Sequence, residues 1–115
     1  MSKITTDKYS VEYFESDNTV SLTGDLALDG PSDYAPILAI LQEAADKSTS
    51  SLNLNLKELA FLNSSGISMI SKYVIGFRNK KSVQLTVTGS EAISWQSKSL
   101  KNLEKLLPGL KLVLQ

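Results

Sequence analysis

The stretch Ser51–Ile75, SLNLNLKELAFLNSSGISMISKYVI, changes its period part-way along. Leu52, Leu54 and Leu56 alternate with Asn53 and Asn55, the two-residue repeat of a strand with one dry face. Ile67, Ile70, Val74 and Phe77 then recur at helical spacing. Between the two, after Phe61 and Leu62, come Asn63, Ser64, Ser65 and Gly66. The pattern predicts strand, sharp turn and helix, with the serines at the helix start. A serine there can accept a hydrogen bond from the second or third helical N–H, which otherwise lacks a partner. Aligned peptide dipoles also place about half a positive charge at that end. A phosphate on Ser64 or Ser65 would therefore be held without unfolding the helix. Capping and phosphate acceptance are two readings of the same hydroxyls.

On the N-terminal side, Tyr9, Val11 and Tyr13 alternate with polar residues and predict a first strand. Ser16, Asp17 and Asn18 make a turn, and Val20 and Leu22 lie on a second strand ending at Gly24. So short a connection predicts an antiparallel hairpin. The loop Asp25–Asp33, DLALDGPSD, leads to a helix capped by Ser32 or Asp33, with Pro36 in its first turn. Tyr34, Ile37, Leu38, Leu41, Ala44 and Ala45 form its apolar stripe, and it should end near Lys47.

On the C-terminal side, Ser68, Lys72 and Asn79 give the central helix a polar face, with Met69 and Tyr73 at the edge of its core face. Asn79, Lys80 and Lys81 should close it, cations lying near its negative end. Val83, Leu85 and Val87 alternate with Gln84, Thr86 and Thr88 to give a fourth strand. Between Ser90 and Leu107 a helix is expected in the second half, capped by Ser97 or Ser99, while Trp95 either packs beneath it or stays partly exposed. Pro108 and Gly109 end that helix. Leu110, Leu112 and Leu114 lie on a last strand.

Strands separated by helices imply parallel pairing through crossovers. Parallel strands covered on both faces read as continuous apolar runs. These alternate, so the expected α/β fold is a mixed sheet of about five strands with helices on one face, in a single domain over residues 1–115. A doubly wound receiver or dinucleotide-binding fold does not fit that pattern.

Composition narrows the chemistry. An apolar fraction of 42% suffices for a core, and 12 cationic against 12 acidic residues give zero net charge. The basic field that nucleic acid or an anionic membrane would need is missing. The chain holds neither cysteine nor histidine. Disulfides, a Ser-His-Asp triad, a histidine phosphorelay site and the commonest metal ligand are excluded. The sequence shows no signal peptide and no apolar run of about 20 residues, so a cytoplasmic location is expected. Asp25, Asp29 and Asp33 lack calcium-loop spacing, and no base stands ready to activate a serine, so no catalytic residue, metal or cofactor is assigned.

The run Leu54–Ile70, LNLKELAFLNSSGISMI, resembles the signature of STAS domains, the family that includes the bacterial anti-sigma-factor antagonists: an apolar strand, then Asp-Ser-Ser/Ala-Gly opening an apolar helix. Val20–Asp29, VSLTGDLALD, looks like that family's second strand and its Gly-Glu-Leu-Asp turn, and Leu100–Leu110 like the segment before its last strand. The resemblance implies a STAS-like βα superhelix. It also implies partner switching in signal transduction and transcription regulation. A serine kinase, often doubling as an anti-sigma factor, phosphorylates the serine before the motif glycine, and a serine phosphatase reverses it. That role falls on Ser65, with Ser64 as second candidate. The partner-binding surface would comprise Asn63, Gly66, Asp25 and Asp29.

Three departures stand out. Asn63 occupies the acidic position of the motif, the turn carrying Asp25 and Asp29 is longer than the family's, and the family's further C-terminal helix is not expected here. An alternative within the same family is a ligand-sensing module that binds a nucleotide or small anion near the helix tip. The sequence leaves oligomeric state open, a homodimer included.

Overall fold

A computed structural model describes residues 3–80 and 82–115; the closing role expected of Lys81 lies outside them. Along the chain run β1 (Lys3–Thr5), β2 (Tyr9–Phe14), β3 (Thr19–Leu26), α1 (Pro31–Lys47), β4 (Ser51–Asn55), β5 (Leu59–Leu62), α2 (Ser64–Gly76), β6 (Gln84–Gly89), α3 (Ser94–Leu106) and β7 (Lys111–Leu114). The sheet is mixed, in the order β1-β2-β3-β4-β6-β7. β1, β2 and β3 are antiparallel neighbours, while β4, β6 and β7 add on in parallel.

The α/β architecture, the opening hairpin and the single helical layer agree with the sequence pattern. Val11, Tyr13, Val20, Leu22, Leu52, Leu54, Leu85 and Val87 bury one face of the sheet under the helices. The intervening Ser21, Asn53, Thr86 and Thr88 stay partly exposed on the other. Burying that alternate set favours folding by about 2 kcal/mol per large side chain. On α2 the predicted edge residues are core: the Tyr73 ring meets Phe77 edge-on at 5.2 Å, and its hydroxyl donates to the Leu41 carbonyl at 2.8 Å.

Among the described residues there are seven strand segments where about five were expected. β1 is a short polar edge strand without an apolar signature. β5 is separated from β4 by a break at 56–58, where the backbone leaves the line of β4 and rejoins beside the end of β3. Gln96 fills that break. It is fully buried; its Nε2 donates to the carbonyls of Leu56 (2.6 Å) and Leu59 (2.9 Å), and its Oε1 accepts the Ser90 N–H (2.7 Å). Trp95 adds an indole N–H to the Leu59 carbonyl at 3.2 Å and is half-buried.

Two predicted helix starts move. α3 begins at Ser94, before Ser97 and Ser99, with Ile93 at its cap position and no side-chain cap. α1 begins at Pro31 after Gly30, so neither Ser32 nor Asp33 caps it, and Pro36 sits in the second turn. Pro36 is exposed, so the Ser32 carbonyl that loses its helical partner can turn to water. Gln96→Ala is expected to lower stability by about 2 kcal/mol, since the Ser90 N–H loses its partner and the Leu56 and Leu59 carbonyls each lose one of two donors, while the vacated space admits water. Chemical denaturation would measure it.

Among the described residues no helix is long and apolar enough to cross a membrane.

Candidate functional site

The ends of β3 and β5 meet at one tip of the molecule. β5 stops at Leu62, and Asn63 turns the chain into α2 with extended backbone. Its Oδ1 accepts the Gly66 N–H at 3.0 Å and the Tyr34 hydroxyl at 2.7 Å. Its Nδ2 donates to the Leu28 carbonyl at 2.8 Å, and its backbone N–H to the Leu26 carbonyl at 3.1 Å. One side chain thus ties together the start of α2, the first turn of α1 and the loop after β3. Two acceptor bonds on one side and a donor bond on the other set the amide's orientation. An aspartate has no donor for Leu28. Asparagine at this position therefore serves the helix start and the loop after β3 together.

The cap expected from Ser64 or Ser65 belongs to Asn63. Ser64 and Ser65 are the first two residues of α2; Ser64 is exposed and Ser65 half-buried. Neither hydroxyl makes a hydrogen bond among the described residues. Their backbone N–H groups, like those of any first turn, have no intrahelical acceptor. Ser65 also lines a groove of about 430 Å³ between α1 and α2, with Pro31, Tyr34, Ser68 and Lys72 on its walls.

Gly66 is buried. A Cβ there would lie 2.7 Å from the Tyr34 hydroxyl oxygen and collide with the Leu62 side chain. Gly66→Ala would gain up to about 1 kcal/mol of helix propensity. Pushing Leu62 and Tyr34 aside costs more, about 2–3 kcal/mol for an overpacked core site. The expected net loss is about 1–2 kcal/mol, read as a lowered melting temperature.

Of the acidic candidates, Asp29 lies in the loop next to Leu28, hence beside Asn63, and Asp25 lies in β3 paired with Phe61. Both are exposed. Phe61 was not singled out in the sequence. It is 48% exposed, two residues before Asn63. The signal was the run Leu59–Leu62, where an apolar residue falls on the open side of a strand.

Burial holds the Tyr34 phenol above its ordinary pKa of 10.0, a smaller opposing effect coming from the Leu28 N–H. The hydroxyl therefore stays protonated and able to donate to Asn63 across the physiological range. Because the folded pKa is the higher one, this contribution to stability is complete below the unfolded value near 10 and is lost as pH rises through the folded one. Tyr34→Phe should flatten that alkaline decline in a denaturation series against pH.

No family model and no curated protein match the sequence. Solved structures do match. SiaC of Pseudomonas aeruginosa superposes with a TM-score of 0.71 at 14% identity, over 100% of this chain and 98% of SiaC. The crystal structure of apo-SiaC gives 0.72 at 13%, over 100% and 99%. A chain in the crystal structure of the diguanylate cyclase SiaD in complex with its activator SiaC gives 0.72 at 11%, over 96% of each. The fold is the SiaC fold. Within that SiaC-like frame the tip around Asn63 gathers Ser64, Gly66 and Asp29, with Ser65 turned to the adjoining groove.

Proposed function

We propose that this chain is a non-enzymatic regulatory protein of one domain that binds a protein partner through the start of α2, and that phosphorylation of Ser65, with Ser64 as second acceptor, controls the binding. One observation carries the reading: Asn63 does the capping, so both hydroxyls at the positive end of α2 are left unengaged. Phosphate adds about −1.5 to −2 charges, which the helix end tolerates inside the domain. At a docked interface the same charge must be desolvated or repelled. The exposed Phe61 supplies an apolar contact beside the polar tip, with Asp25 and Asp29 on its rim.

A serine kinase, in the STAS antagonists often an anti-sigma factor, would write the mark, and a serine phosphatase would erase it. SiaC, described as the activator of a diguanylate cyclase, supports protein binding as the mode of action. It adds a signalling enzyme to a sigma-factor circuit as an output. Intact-mass and peptide analysis of the protein from its native cells tests the switch. Phosphate on Ser65 or Ser64 is the expected result; its absence under all growth conditions overturns the reading.

A further inference from the structure

A larger concavity, of about 640 Å³, lies at the other end of the sheet, between the beginning of β6 and the segments that follow α2 and α3. Phe77, Val83 and Leu107 give it apolar walls. Every charged side chain lining it is a cation: Arg78, Lys80 and Lys105. In a chain with zero net charge, no general excess of cations accounts for that concentration.

Helix C-termini attract cations, and Arg78 is used in this way: its Nε donates to the Leu106 carbonyl at 2.7 Å. Lys80 and Lys105 form no ion pair among the described residues. The nearby carbonyls that would repel an anion are occupied as well. Phe77 O accepts the Lys80 N–H, Lys80 O the Val83 N–H, and Leu107 O the Leu110 N–H. Gln84 fastens the far wall, its Nε2 donating to the Gly109 carbonyl at 2.8 Å. The pocket is therefore of ordinary ligand-site volume, with Lys80, Lys105 and the partly used Arg78 among its lining residues.

We propose that this pocket binds a small phosphorylated molecule with an apolar or aromatic body, of which nucleoside phosphates are the type. Two or three cations match the charge of a phosphate monoester, and the guanidinium and ammonium groups supply donors to its oxygens. The apolar walls take the body. This site is separate from Ser65 and does not depend on the phosphorylation reading.

The test is calorimetric titration of the full chain at low salt with AMP, ADP and inorganic phosphate. Expected is saturable binding of AMP or ADP at least about tenfold tighter than inorganic phosphate. Joint Lys80→Ala and Lys105→Ala replacement should weaken it by about tenfold or more with the melting temperature unchanged, and Lys80→Gln with Lys105→Gln should do the same. Lys98→Ala with Lys101→Ala, exposed on α3, and Ser65→Asp should leave it unchanged. Failure of both nucleotides to exceed inorganic phosphate, or full binding by the Lys80/Lys105 variants, overturns the proposal.

Discussion

Replacing Asn63 with alanine is expected to destabilise the fold by about 3 kcal/mol, more than any other single change at the tip. Loss of a helix cap costs about 1–2 kcal/mol. Here the same truncation also strips the Leu28 carbonyl of its donor and takes from the Tyr34 hydroxyl its 2.7 Å acceptor, leaving only the Leu26 carbonyl at 3.3 Å. Each polar group left without a partner in a half-buried setting adds about 1 kcal/mol. Asn63→Asp separates these contributions. Its carboxylate keeps both acceptor bonds and gains from the helix dipole, while an oxygen replaces the donor that faced Leu28. The loss should fall to about 1 kcal/mol and concentrate in the loop after β3. Denaturation curves give the totals, and amide exchange at 27–30 locates the loosening.

Ser65→Asp should weaken partner binding by about a hundredfold or more, if a desolvated negative charge at an interface costs about 3 kcal/mol. Its effect on folding has the opposite sign and is small, because a carboxylate in the first turn of a helix stabilises by about 0.3–1 kcal/mol. Ser65→Ala controls for size and should bind as wild type. The comparison is quantitative co-purification of wild type and both variants from native cells, with melting temperatures alongside. An aspartate variant that binds normally would remove the switch. Ser64→Asp, at the more exposed neighbour, shows whether that residue carries the effect instead.

Much of the fold was legible because the apolar period changes where the structure changes. Leu52 and Leu54 at one spacing, and Ile70 and Val74 at another, mark β4 and α2 on either side of the turn at Asn63. The cap was misplaced for a local reason. Asn63, Ser64 and Ser65 are all good capping residues, and only geometry decides that the Asn63 oxygen reaches the third helical N–H. The break after β4, β5 and the role of Gln96 were not legible. Gln96 answers carbonyls 37 and 40 residues earlier, and no pattern along the chain reports so distant a need. Ser97 and Ser99 drew the predicted start of α3 inward for the same reason that serines drew the cap of α2. Phe61 carries no periodic signal along the chain because an exposed aromatic on a four-residue strand has no partner at regular spacing. The pocket around Lys80 and Lys105 was hidden too, since its walls come from three separate stretches.

The clasp at Asn63 bears on how Ser65 can be modified. Gly66 and Ile67 both donate backbone N–H groups back to Asn63, so the serine is presented on a wound turn instead of a pliable segment. An enzyme that demands an extended substrate would have to unwind α2 first. A short synthetic peptide spanning the turn should then be a poor substitute for the intact domain, and the catalyst that acts here must recognise shape as well as sequence.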